Sequence, residues 1–361
     1  MIETVQIAVL LLAVLAAVAV AARRLDLPPA ILLVVVGVAL ALVPGLPHVQ
    51  LVPELVLLLV LPPLIYSAGV AMSWREFRFN LRPIGMLAIG CVLFTTVVVA
   101  AVAHFSLGLP WAVGFVLGAI ISPPDVVAPL AIARRLGLPR RLLVILEGEG
   151  LANDATALIL YRFAVAAVAT GAFSLGPALA TFGAIFVGEI AFGLAVGWLM
   201  LRVRHAAHDP RVEVTLSLVT PYLAFWVPEH FGGSGVIATV VAGLYTSWHG
   251  PMLITAATRL QGVFFWGLFT YLVEGMVFLL TGLQARTLVE RSGAVDLYQL
   301  VGSALLVSAV VIVARFVWIY PATYLPRWLV ASIARRDPSP PWQNPFLIGF
   351  TGIRGIVSLA A

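Results

Sequence analysis

The chain has 361 residues, of which 62% are hydrophobic and only 10% charged, and its mean hydropathy is +1.08. A soluble domain carries about 45–50% apolar and ~25% charged residues, so an all-α polytopic membrane protein is expected. The formal charge of +5 comes from arginine alone, since lysine is absent, and a single cysteine, Cys91, excludes a disulfide framework or a multi-cysteine metal site.

Apolar runs bounded by charge, proline or glycine predict about twelve spans, near 4–22, 29–44, 54–72, 83–105, 111–133, 142–169, 177–201, 213–228, 232–248, 262–284, 297–325 and 344–361. The first run is not a signal peptide, because its first charge is Glu3 and the basic pair Arg23-Arg24 follows it. The runs at 142–169 and 297–325 exceed the bilayer thickness and are expected to tilt or project, with Pro321 kinking or ending the second. Residues 337–341 (DPSPP) read as a stiff connector. The last run stops inside a helix, as expected for a piece of a longer protein. No polar segment is long enough for a separate domain, so residues 1–361 read as one membrane domain.

Arginine placement orients the spans. With the N-terminus outside, sixteen arginines fall in inner loops and only Arg286 and Arg291 in outer ones, which is the asymmetry the positive-inside rule requires. The same placement explains the basic balance better than nucleic-acid binding does, and no nucleic-acid partner is expected. Arg162, Arg315 and Arg354 lie within spans.

Two neighbouring spans carry acids at mid-depth, where an ionised carboxylate costs at least ~2.5–3.5 kcal/mol. In 111–133 the helical run is interrupted by Ser122-Pro123-Pro124-Asp125. The prolines remove backbone donors and disfavour helix before them, so the chain is expected to unwind there and free carbonyls beside a carboxylate. The alternative is a proline kink in which Asp125 caps the second half-helix. In 142–169 stand Glu147, Glu149, Asn153 and Asp154. The two spans are antiparallel, so Asp154 can reach the depth of Asp125. Two carboxylates in low dielectric raise each other's proton affinity, and hard cations prefer oxygen ligands. Such a site binds either a proton or a monovalent metal ion; the plainer reading of Asp154 is a structural hydrogen bond. Asn153 orients a carboxylate without adding charge. Glu149 needs a partner, and Arg354, in Gly352-Ile353-Arg354-Gly355, is the expected one, as an architectural pair. Glu147 either draws cations into a funnel or is solvated.

The remaining polar residues carry less. Glu189 and Glu274 lie within spans and either line a path or hydrogen-bond between helices. Arg162 and Arg315 either snorkel or pair with acids. His48, His104, His205, His208, His230 and His249 fall mostly at span ends. Residues 232–235 (GGSG) read as close helix packing rather than a phosphate cradle. No nucleotide loop, nucleophile triad or cofactor motif is present.

Taken together, Ser122 to Asp125 and Glu147 to Asp154 resemble the monovalent cation:proton antiporter-1 family, the sodium/proton exchangers of bacteria and eukaryotes. Further similarity lies in 61–66 (LPPLIY), 234–236 (SGV), 278–282 (FLLTG) and 352–355 (GIRG). The resemblance implies an inverted-repeat antiporter fold with broken helices, the first repeat at about 1–170 and the second at about 200–361, incomplete. It implies a bacterial inner-membrane homodimer in contact with lipid, exchanging Na⁺ (or K⁺ or Li⁺) for H⁺ without a cofactor and serving pH homeostasis. By the same resemblance Asp154 carries the ion, Asp125 is a second ligand, Asn153 its neighbour, and Glu149–Arg354 a structural pair. Ser122, Pro124 and Glu147 are pathway candidates. The Asn-Asp pattern implies electroneutral exchange. Two departures bear on selectivity: Gly150 stands where many members have serine, and Ser67 near a position where eukaryotic members have glutamate.

Three rival readings stand beside exchange: a K⁺/H⁺ exchanger or another inverted-repeat carrier, an intramembrane aspartyl protease using Asp125 and Asp154, and a channel. Another carrier would favour helix N-termini facing an anionic substrate. The protease motifs, Gly-x-Gly-Asp and Tyr-Asp, are absent from the sequence. A channel has no need of a titratable site.

Overall fold

A computed structural model of the chain describes residues 2–43, 55–125, 127–171, 175–291 and 297–352. The described residues form α1 (Ile2–Leu25), α2 (Pro29–Ala41), α3 (Val56–Ala71), α4 (Trp74–Phe79), α5 (Leu81–Leu107), α6 (Trp111–Ile121), α7 (Val127–Arg135) and α8 (Arg140–Thr170). They continue with α9 (Leu175–Ala207), α10 (Pro210–His230), α11 (Val236–Leu253), α12 (Ala256–Leu283), α13 (Ala285–Arg291), α14 (Leu297–Leu329), α15 (Ala331–Arg336) and α16 (Gln343–Phe350). Among the described residues six helices are long and apolar enough to cross a membrane, and α2, α3 and α6 are shorter apolar ones. Large apolar side chains face outward, as a lipid-facing surface requires: Leu260, Val263 and Phe264 on α12 are each nearly three-quarters exposed.

The helix boundaries follow local chemistry. Asp209 caps α10 by accepting from the backbone N–H groups of Arg211 and Val212, with Pro210 at the first position, and Thr255 caps α12 through Thr258 N. Pro321 does not end α14, which runs on through Pro321 and Pro326 to Leu329. The predicted span 111–133 is two helices, α6 and α7, separated by an unwound stretch at Ser122–Asp125. The short helices α4, α13 and α15 were not expected; α4 forms because its six residues place Phe77 inward and charge outward.

Pro62 and Pro63 show how a broken hydrogen-bond ladder is repaired. They cannot donate to the carbonyls of Leu58 and Leu59, and the helix widens into a π-helical turn at Val56–Val60. Trp226 Nε1 donates to Leu58 O at 2.9 Å, and Tyr222 OH donates to Leu59 O at 3.0 Å, both from α10. Trp226→Phe should therefore lower stability by about 1 kcal/mol, read as a fall in the thermal midpoint of the detergent-solubilised protein; an unchanged midpoint would mean the carbonyl finds another donor.

Packed apolar groups build the interior of the described residues. Helices α1, α2 and α12 meet around Leu11, Leu15, Leu33 and Leu279. Helices α3, α9, α10 and α11 meet around Tyr66, Val196, Ala224 and Ala242. Helices α5, α8, α14 and α16 meet around Leu87, Ile145, Ile319 and Ile348. Between the last two groups lies α8, whose Leu151, Ala155 and Leu158 pack against Leu61, Ile65 and Val240. Gly118 lets α6 approach α5 closely: a Cβ there would stand 2.5 Å from Thr96 O.

Loops that the arginine count assigns to one side are joined to one another. Arg135 pairs with Asp26, Arg140 with Glu76, and Arg82, Arg141 and Arg327 converge on Asp337. The Arg140 hydrogen bond holds the Glu76 carboxyl below the usual carboxylate range.

Candidate functional site

The unwound stretch between α6 and α7 lies against α8. Asn153, fully buried, donates from Nδ2 to Pro124 O at 2.8 Å, and its Oδ1 accepts from Asp154 N at 2.7 Å. One amide thus locks the strand of unwound backbone to the helix that carries Asp154. Asp125 directly follows Pro124, so the same bond holds its backbone against the helix that carries Asp154. Asp154 is partly buried rather than sealed off. Ser122, at the end of α6, accepts a hydrogen bond from Thr96 Oγ1 on α5 at 3.1 Å. Sequence reasoning expects Asp125, Asn153 and Asp154 to meet; the structure joins Asn153 to Pro124 and to the backbone of Asp154, and adds Thr96, which the sequence does not single out.

The electrostatics of a broken helix suit this arrangement. The C-terminus of α6 presents partial negative charge to the gap, and the N-terminus of α7 presents partial positive charge beside Asp125. The gap thus gathers carbonyl dipoles and carboxylates, the oxygen donors that suit a hard cation.

One turn before Asn153, Glu149 makes a bidentate ion pair with Arg315 of α14, with Arg315 Nη1 donating to Oε1 at 2.6 Å and Nη2 to Oε2 at 2.9 Å. Glu149 is 0% and Arg315 1% exposed. The partner expected from the sequence is Arg354; both carboxylate oxygens are instead held by Arg315, and Arg354 lies outside the described residues. Arg315 also donates from Nε and Nη2 to Ile348 O on α16, so one guanidinium ties α8, α14 and α16 together. A physical signal for it was present. Arg315 stands ten residues from the nearer end of the predicted span 297–325, roughly 15 Å at 1.5 Å per residue, about mid-bilayer and beyond the reach of a snorkelling side chain.

Four other polar residues singled out in the sequence, Glu147, Arg162, Glu189 and Ser67, have structural partners. Glu147 pairs with Arg134 at 2.6 Å at the end of α7. Arg162 pairs with Glu229 at 2.5 Å and donates to the carbonyls of Gly232 and Gly233. Glu189 accepts from the backbone N–H groups of Ser234, Gly235 and Ile237, fixing the start of α11. The glycine-rich turn therefore does receive an anion, but an internal one. Gly235 is required there, with φ +66° and a Cβ position 2.3 Å from Phe225 O. Ser67 donates to its own helix at Leu64 O.

A family model described as the sodium/hydrogen exchanger transmembrane region matches residues 9–361. The chain belongs to the sodium/hydrogen exchanger family. It is 37% identical over 343 residues to a protein of Mycobacterium tuberculosis named an uncharacterized Na⁺/H⁺ exchanger, covering 94% of this chain and 62% of that one. It is 31% identical over 349 residues to a Bacillus subtilis protein named a sodium, potassium, lithium and rubidium/H⁺ antiporter, covering 92% of this chain and 51% of that one. The chain thus spans about half to three-fifths of the length of these curated relatives. The solved structure of the sodium proton antiporter MjNhaP1 from Methanocaldococcus jannaschii superposes with a TM-score of 0.78 at 19% identity, covering 100% of this chain and 84% of that one. The exchanger family is a family of transporters, and this member has its multi-pass, nearly all-helical membrane fold.

Proposed function

We propose that the protein is a secondary antiporter exchanging a monovalent cation, Na⁺ in the first instance, for H⁺. Asp154 alternates between cation and proton, Asp125 and carbonyls of the unwound stretch complete the cation's oxygen shell, and Asn153 holds that stretch in register. Exchange rather than leak follows because cation and proton compete for the same carboxylates. The observation that carries this is the hydrogen bond from Asn153 to Pro124 O, which fixes the broken helix beside the acid-bearing one.

Glu149 and Arg315 serve as the fixed joint of the bundle, and Glu147 with Arg134 guards the end of α7 nearest the basic face. A single carboxylate beside neutral Asn153 favours one-for-one, electroneutral turnover. The topology proposed has the N-terminus outside, the chain in the bacterial cell membrane, and two inverted repeats, at about 1–170 and about 200–361. The assembly proposed is a lipid-embedded homodimer in which the helices around α8 move against a scaffold. The naming of the Bacillus subtilis relative supports testing K⁺ and Li⁺ beside Na⁺.

Proteoliposomes containing a pH-sensitive dye test the reading directly. Adding Na⁺ outside should drive proton efflux that a K⁺/valinomycin clamp neither speeds nor slows. No response to Na⁺, K⁺ or Li⁺ would remove the exchanger reading, and strong dependence on the clamp would remove electroneutrality.

A further inference from the structure

Residues 74–83 (WREFRFNLRP) place three arginines in ten residues, more than orientation alone needs. In the fold these residues form one wall of a cleft of about 840 Å³ on the arginine-rich face. Arg75, Arg78 and Arg82 come from around α4, Arg141 from the start of α8, and Arg336 from the end of α15. Among the described residues Asp337 is the only acid lining the cleft, and Arg82, Arg141 and Arg327 already share it at 2.6–2.8 Å. Burial raises the proton affinity of Asp337, but those three guanidinium groups outweigh it and hold the carboxyl below its ordinary range. The acid is therefore spent on structure and leaves the cleft strongly positive.

The donors are placed for a ligand. Arg75, Arg78 and Arg336 are exposed and make no ion pair among the described residues, and Arg82 Nη1 is buried with no hydrogen-bond partner among them. Aromatic side chains complete the cleft. Trp74 of α4 stacks on Trp248 of α11 with centroids 5.5 Å apart, and the Arg141 guanidinium lies 5.8 Å from the Phe79 ring centre. Arginine forks match phosphate oxygens bidentately, and tryptophan favours the depth at which lipid headgroups sit. The volume falls within the ~300–1,000 Å³ range of small-molecule sites.

We propose that this cleft is a binding site for a phosphate-bearing anion at the cytoplasmic membrane surface, held by Arg75, Arg78, Arg82 and Arg336. The chemistry is shared by an anionic phospholipid headgroup and by free phosphate, and the two are told apart by experiment. The site does not depend on the ion-exchange reading, because binding is measured without transport.

The test uses the protein in phosphatidylcholine nanodiscs, with phosphatidylglycerol binding followed by native mass spectrometry and inorganic phosphate binding by calorimetry. Each arginine near a membrane surface contributes about fivefold to anion affinity, so Arg75→Gln/Arg78→Gln/Arg336→Gln should weaken binding on the order of 100-fold. Arg78→Gln alone should cost about fivefold, which keeps the test open if the triple variant fails to fold. The control Arg202→Gln/Arg211→Gln/Arg259→Gln removes the same charge elsewhere on that face and should stay within about twofold of the parent, on the reading that generic surface charge is not the cause. Loss confined to phosphatidylglycerol identifies a lipid headgroup, loss confined to phosphate identifies a soluble anion, and loss of both identifies the phosphate group itself. No binding of either probe by the parent protein, or equal loss in the control, overturns the site.

Discussion

Asp154→Asn is expected to reduce cation-driven proton flux to the level of empty vesicles while leaving the protein folded. Asparagine matches aspartate in size, and the backbone N–H of residue 154 keeps its acceptor in Asn153 Oδ1. What is lost is charge. A carboxylate in contact with a monovalent cation at about 2.5 Å gains roughly 6–7 kcal/mol at an effective dielectric of ~20, whereas an amide offers only a dipole and no exchangeable proton. Cation affinity should fall by at least ~100-fold. The thermal midpoint of the purified variant should stay within a degree or so of the parent, about the noise expected for a change of near-zero stability effect. Exchange surviving in this variant would take the central role away from Asp154.

The second large effect concerns the buried pair. Glu149→Gln leaves the Arg315 guanidinium in the interior without a counter-charge, and such breakage costs about 3–5 kcal/mol. The two bonds from Arg315 to Ile348 O cannot compensate, since a carbonyl is a dipole. The variant should give little monodisperse protein, with a lowered thermal midpoint. Replacing both partners, as Glu149→Gln/Arg315→Met, should recover much of the yield, because no buried charge remains uncompensated. Full stability of Glu149→Gln alone would contradict the architectural role. Comparing the two single variants with the double one separates the pair's coupling from the loss of either side chain.

The sequence was legible where a rule acts along the chain. Pro123-Pro124 had to interrupt the helix, and α6 and α7 do separate there. Antiparallel neighbours had to bring 125 and 154 to one depth, and Asn153 does bind the carbonyl of Pro124. The arginine asymmetry had to gather the basic loops on one face, and ion pairs join those loops. It was illegible where packing chooses between equal candidates. Glu149 had three intramembrane arginines to choose from, Arg162, Arg315 and Arg354, and nothing local says that α14 brings Arg315 to it. The capping of Leu58 and Leu59 by Trp226 and Tyr222 spans more than 160 residues, so the repair of the Pro62-Pro63 break could not be read locally. Glu189 was open between lining a path and bonding between helices, and only the fold shows that it does the second, closing the turn that starts α11. The basic run at 74–83 was absorbed into topology, and only the fold shows that Arg141 and Arg336 join it.

Competition between H⁺ and a metal ion for one acid pair is best tested by proton release on binding. The detergent-solubilised protein is held near neutral pH without buffer, NaCl is added, and choline chloride serves as the control. Shared occupancy requires about one proton released per Na⁺ bound, with apparent affinity falling roughly tenfold for each pH unit of acidification, and no release from Asp154→Asn. Na⁺ binding that releases no proton and ignores pH would contradict it.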